Sequence, residues 1–244
     1  GREIGTVVIE RYEALLSNEG VEDEDDGVQL PFIRFLLNNA ALLPDSPIVK
    51  MEQFVAGMTG LGVTAQLRGI SQQMRESRVF DELCQKKNVE EFEEFLNAMG
   101  VSCHLTSRQL PDGHYELYFA HNTPIPFFET ASSGTLSLMN LYIKFLLPNR
   151  NMSFIYMDEF DAYYHYAMAE NLVQYFKKKY PQAQVILTTH NTNLMSNRLM
   201  RPDCLFILSE EGKLTALCDA TGRELREGHN LEKLYIGGEF NDYE

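Results

Sequence analysis

The stretch Ser153-Phe154-Ile155-Tyr156-Met157-Asp158-Glu159 decides the architecture of this chain, read together with Gln184-Val185-Ile186-Leu187-Thr188-Thr189-His190. In each, a short apolar run suited to a strand ends abruptly in groups that do chemistry. The first ends in two carboxylates and the second in an imidazole. Between them, Tyr163 to Tyr180 carries a helical pattern stopped by Pro181, and Lys177, Lys178 and Lys179 complement the negative end of that helix. Strand, helix, strand is a parallel crossover unit, and continuous apolar strands predict a sheet buried on both faces. A right-handed crossover brings both strand ends to one edge of the sheet, where α/β folds hold their ligands.

Outward from this unit the pattern stays α/β. Gly134 to Leu147 reads as a helix that is apolar nearly all round, and it is expected to be buried. Val101–Ser107 and His114–His121 flank Pro111-Asp112-Gly113 and read as a hairpin. After His190 a short helix is expected near Asn193–Leu199, then strands Asp203–Ser209 and Lys213–Asp219 turning at Glu211-Gly212. The first hundred residues differ, being mostly helical with little chemistry. Pro31 opens a helix with Phe32, Phe35 and Leu36 on one face, ending near Pro44. Asn88 is the expected N-cap of a helix bearing Val89, Phe92, Phe95, Leu96 and Met99, stopped by Gly100. The run Glu22-Asp23-Glu24-Asp25-Asp26-Gly27 suggests a calcium loop, but Arg34 stands where the bidentate Glu is required. A solvated acidic loop is the better reading. The expected organisation is a helical, insertion- or arm-like segment over 1–100 and an α/β lobe over 101–244.

Composition narrows the function. The 244 residues are 44% apolar and 23% charged, the make-up of a globular chain with a real core. Lys and Arg number 21 against 35 Asp and Glu, a formal net charge of −14. Such a chain argues against direct nucleic-acid binding and against docking on anionic membranes. No apolar stretch reaches the roughly 18 residues of a spanning helix, and the opening Gly-Arg-Glu-Ile-Gly has no signal-peptide pattern. Cys84, Cys103, Cys204 and Cys218 form no CxxC or CxxH pair, so neither a zinc knuckle nor a dense disulfide framework is suggested. A reduced, cytoplasmic protein is expected.

The strand ends define candidate chemistry. Mg²⁺ is a hard ion that takes one or two carboxylates and keeps water, so Asp158 is a candidate metal ligand. Glu159 beside it can orient or deprotonate an attacking water, and a neutral His190 can bond a phosphate oxygen or position water. The segment Thr130-Ala131-Ser132-Ser133-Gly134-Thr135 puts small residues at a helix N-terminus, where backbone N–H groups and the dipole favour an anion. Taken singly, the first is more often a plain acidic turn and the second a structural histidine, while the third is as readily an ordinary Ser cap.

In this order the segments resemble the C-terminal half of an ABC-class ATPase, in the branch shared by SMC proteins and OLD-like bacterial defence ATPases. This is the AAA-family type linked to abortive infection and phage resistance. Ala131-Ser132-Ser133-Gly134-Thr135 resembles the signature motif and Phe154 to Glu159 resembles Walker B with its catalytic glutamate. Asp161 to His165 resembles the D-loop region, and His190 the switch histidine. Thr189-His190-Asn191-Thr192-Asn193-Leu194 and Asn230-Leu231-Glu232-Lys233-Leu234-Tyr235 are similar to the ending of the OLD-like group. The resemblance implies a P-loop NTPase-type lobe with a mainly parallel sheet flanked by helices, ATP and Mg²⁺ as cofactors, and ATP hydrolysis between two heads. It implies Asp158 at Mg²⁺, Glu159 and His190 as catalytic groups, and Ser132, Ser133, Gly134 and Asp161 at the nucleotide. The implied partners are a lobe carrying Walker A, a second copy facing it across ATP, and an effector protein.

The chain departs from the family pattern at several points. No GxxxxGK[ST] occurs; Gly57, Gly60 and Gly62 crowd together with no Gly-Lys-Ser/Thr after them. Ala131 stands where Leu is usual, Ser133 where Gly or Glu is usual, and Tyr166 where Pro often follows the His. The expectation is one half of a composite ATPase, inactive by itself, with its Walker A lobe upstream in the parent protein or on another chain. The alternative is an inactive, ATPase-derived protein-interaction module. A metal-dependent hydrolase built on Asp158, Glu159, Asp161, His165 and His190 is disfavoured, since its carboxylates bunch in one turn.

Overall fold

A computed structural model describes residues 42–62, 77–148 and 151–243. The helix expected from Pro31 lies mostly, and the acidic run at 22–27 wholly, outside the described residues. By compactness the chain forms two units, Gly1–Met58 and Thr59–Glu244. In the first, helix α1 spans Pro47–Ala56, with Ser46 as N-cap accepting the Val49 N–H at 3.3 Å and Pro47 in the first turn.

The second unit builds its core around one helix. Helix α2 (Arg78–Leu83) and helix α3 (Lys86–Ala98) precede a hairpin of strands β2 (Leu105–Gln109) and β3 (Tyr115–Phe119). The hairpin is antiparallel in the register Ser107↔Leu117, turned at Gly113 with φ 94°, a conformation glycine adopts freely. A short strand, β4 (Ile125–Pro126), extends it. After the single-turn helix α4 (Phe127–Thr130) comes α5 (Ser133–Leu141), which continues as a π-helical turn over Tyr142–Leu146. As its all-round apolarity predicts, Leu138, Met139, Leu141, Phe145 and Leu146 are buried. Phe92 and Phe95 of α3 pack tilted against Tyr142 with ring centroids 4.9 and 5.4 Å from it, so residues before 100 share the core of the lobe. Helix α3 begins at Lys86, with Gln85 as its N-cap in place of Asn88, whose side-chain amide instead donates to the Glu82 carbonyl at 2.6 Å at the end of the helix before it.

Strands β5 (Phe154–Met157) and β6 (Gln184–Leu187) pair in parallel in the register Tyr156↔Ile186, joined by helix α6 (Tyr166–Lys179). This is the predicted strand–helix–strand unit flanked by helices. Strand β1 (Met58–Leu61), whose residues from Thr59 belong to this unit, borders β5 on its other side. The expected burial on both faces is corrected. Ile155 and Met157 are in the core, but Tyr156 is 38% and Ile186 40% exposed. Alternate apolar residues of the two strands thus point outward. Helix α6 starts later than Tyr163 because residues 158–163 are turns.

Beyond β6 a single 3₁₀ turn at Thr192–Leu194 replaces the longer helix expected there. Strands β7 (Phe206–Leu208) and β8 (Leu214–Ala216) form the second hairpin, and helix α7 (Leu231–Ile236) is capped by Asn230. Ile207, Leu217, Ala220 and Phe240 make a small separate core beneath it. Among the described residues no helix is long and apolar enough to cross a membrane.

Candidate functional site

The carboxyl ends of β5 and β6 carry the first group of predicted residues. The Asp158 N–H continues the sheet by donating to the Leu61 carbonyl at 2.9 Å. Its Oδ1 accepts from the Thr188 hydroxyl at 2.8 Å and from the Tyr156 hydroxyl at 3.2 Å. Glu159 follows with φ 42°, in the left-handed region that costs an L-residue about 1–2 kcal/mol. Its N–H donates to Thr188 Oγ1 at 2.8 Å. Its carboxylate lies 3.7 Å from His190 Nε2, within ion-pair reach, and the His190 ring is 91% exposed. The structure thus brings Asp158, Glu159 and His190 to one sheet edge.

The second group lies at the start of α5. Ser132 is the N-cap, its Oγ accepting the Thr135 N–H at 3.1 Å and bonding Thr135 Oγ1 at 2.9 Å. Ser132 and Ser133 are exposed while Gly134 is buried. The helix start is therefore open at its cap, Ser132, and at its first residue, Ser133. This group is tied to the acidic turn behind it: the Ser137 hydroxyl bonds the Tyr164 phenol at 2.8 Å. Burial pushes that phenol up to about 12, so it stays a neutral O–H.

Within the turn, the carbonyl of the half-buried Asp161 accepts the Tyr164 N–H at 2.9 Å, so Asp161 opens a short turn. His165 is the N-cap of α6, its Nδ1 accepting the Met168 N–H at 3.3 Å, which places the ring proton on Nε2. Tyr166 occupies the first helical position, the place where a proline is also accommodated. With His165 turned to its own helix, the five-residue hydrolase constellation does not assemble around one point. Among the described residues no cluster of three or more His, Cys, Asp or Glu could hold a metal ion by itself. One carboxylate braced by two hydroxyls fits Mg²⁺, which fills its remaining positions with water and phosphate oxygens.

Sequence reasoning missed Thr188 and Tyr156. The two threonines before His190 end an apolar strand with hydroxyls, and that polar ending was the available signal.

Residues 19–196 match the family described as "AAA domain, putative AbiEii toxin, Type IV TA system". Among curated proteins none matches the chain. A solved structure, the crystal structure of the SmcHead bound to the C-winged helix domain of ScpA, is 16% identical with a TM-score of 0.43. It covers 60% of this chain, and the matched region spans 53% of that one.

Proposed function

Since this chain belongs to the AAA-domain family matched over residues 19–196, a family of nucleotide-binding ATPases, we propose that it supplies one half of a composite ATP-hydrolysing site. The observation that carries this reading is the Glu159–His190 approach of 3.7 Å at the ends of two parallel strands, with Asp158 braced beside it. Asp158 would hold Mg²⁺, which when bound neutralises phosphate charge and orders water. Glu159 would orient the attacking water, with His190 directed to the γ-phosphate. Ser132, Ser133 and Gly134 would offer the open N-terminus of α5 to the γ-phosphate held by a partner head, and Asp161 would line the same turn. Phosphoryl transfer depends on position and charge rather than covalent help, so each of these groups should matter.

In this reading a Walker A lobe, in the parent protein or on another chain, cradles the β-phosphate, and two heads close on ATP as a dimer. The setting is cytoplasmic phage defence, with an effector protein downstream. The test is Mg–ATP binding and hydrolysis by the chain alone and mixed with an upstream lobe bearing GxxxxGK[ST]. Hydrolysis only in the mixture, lost in Glu159→Gln while ATP still binds, supports the proposal. The lack of GxxxxGK[ST] in this sequence also favours a second reading, an inactive interaction module. Absence of nucleotide binding in every mixture would establish that one.

A further inference from the structure

Thr188 bonds four consecutive residues of the neighbouring chain segment. Its N–H donates to the Met157 carbonyl at 3.0 Å, and its carbonyl accepts the Phe160 N–H at 3.1 Å. Between these, its hydroxyl donates to Asp158 Oδ1 at 2.8 Å and accepts the Glu159 N–H at 2.8 Å. The outer two are main-chain bonds that most residues would make. The inner two need a hydroxyl, and their directions are forced: a carboxylate only accepts and an amide N–H only donates. One Oγ therefore addresses the side chain of the first acid and the backbone of the second.

The second bond falls where the backbone is least content. Glu159 has φ 42°, and a residue in that region persists only when its surroundings over-determine it. The direction in which the Glu159 side chain leaves the turn follows from that backbone angle. His190, two residues beyond Thr188, meets the same carboxylate. Both acids and the imidazole are thus referred to the end of one strand, β6.

We propose that Thr188 is the positioning residue of this site: its hydroxyl sets the Asp158 carboxylate and holds the Glu159 backbone in the left-handed turn that aims its side chain toward His190. The inference rests on the ATPase reading above. Tyr156 also donates to Asp158 Oδ1, over the longer distance of 3.2 Å. Removing its hydroxyl should therefore cost less than removing that of Thr188.

The experiment has two arms on the full chain. In the first, amide hydrogen exchange at Glu159 is followed by NMR in the chain itself. Thr188→Val keeps the β-branched shape and both main-chain bonds, and should speed exchange at Glu159 about ten- to a hundredfold. Thr188→Ser should leave it protected. In the second, hydrolysis is measured with the Walker A lobe supplied. Thr188→Val should lower kcat about ten- to a hundredfold with KM for ATP within about threefold, and raise the Mg²⁺ concentration for half-maximal rate. Thr188→Ser should restore the rate, Thr188→Cys should fall between because a thiol is a poor partner, and Tyr156→Phe should lose less than Thr188→Val. If Thr188→Val folds poorly, the Ser, Cys and wild-type ranking decides alone. Unchanged exchange at Glu159, or unchanged kcat in Thr188→Val while Glu159→Gln is silent, overturns the inference by itself. No hydrolysis by the wild type in any mixture removes the ATPase reading and this inference with it.

Discussion

The backbone of Gly134 lies against the carbonyl oxygen of Tyr163, so closely that a Cβ at Gly134 would stand 2.8 Å from it. The glycine at the start of α5 is therefore required by the turn that follows β5, whatever its role toward a nucleotide. Together with the Ser137–Tyr164 hydroxyl bond, this contact joins the Ser132–Gly134 segment to the acidic turn within one chain. Movement imposed on one should reach the other. Gly134→Ala gains helix propensity, but its Cβ meets a backbone oxygen that cannot swing aside as a flexible side chain could, and it should cost about 1–3 kcal/mol. Urea denaturation reads that loss; a variant as stable as the wild type would show the contact to be loose.

Ser132 separates cap from ligand. Ser132→Ala removes the bond to the Thr135 N–H and should cost about 1 kcal/mol of stability. Ser132→Asp caps as well as serine and should hold the melting temperature near that of the wild type. It also places a carboxylate where a phosphate would sit, so hydrolysis in the reconstituted head should be lost. Retention of activity in Ser132→Asp would exclude an anion from this helix end.

Alkaline pH should weaken the fold. Burial, then the charges of Asp81 and Glu116, push the Cys84 thiol from 9.0 up to about 12. Burial and Glu93 push Cys103 to about 11, and burial followed by Tyr175 pushes the Tyr180 phenol to about 12. Each group is neutral when protonated, and the folded chain keeps the proton that the unfolded chain releases. The stabilisation is complete below the unfolded values and is lost as pH rises from 9.0 toward about 12. The urea midpoint should fall through this window. Near neutral pH, iodoacetamide should modify the exposed Cys204 long before the buried Cys84. Equal labelling rates would contradict the burial of Cys84.

Glu170 sits on the buried face of α6 and pairs with Arg198. Its side chain is only 11% exposed, whereas that of Arg198 is 71% exposed. Arg198→Met leaves a carboxylate with little access to water and should cost about 1–3 kcal/mol. Combining it with Glu170→Gln should recover part of the loss. A double-mutant cycle with no coupling would show that the pair contributes nothing.

The architecture was legible where one residue type dominates its surroundings. The strand–helix–strand unit follows from two apolar runs and a helical pattern, and burial of α5 follows from an apolar surface on every side. Ser132 as a cap was legible too, since a hydroxyl before a helix has few other uses. What was hidden depends on neighbours distant in sequence. Nothing local says that Thr188 meets Asp158 and Glu159, because that pairing is made by the sheet. The outward turn of Tyr156 and Ile186 was hidden for the same reason: an apolar strand predicts two covers, and only the packing of helices decides which are present. Asn88 is hidden too: its position before an apolar stripe points to the following helix, whereas its amide serves the end of the previous one.

The backbone angle of Glu159 sets two demands on one position against each other. Considered as a peptide alone, that position asks for glycine, which would relieve the strain and raise the melting temperature slightly. A screen of this chain for thermostability, run without any test of activity, should therefore enrich Glu159→Gly among its survivors. The glutamate persists only where something other than foldedness is being selected.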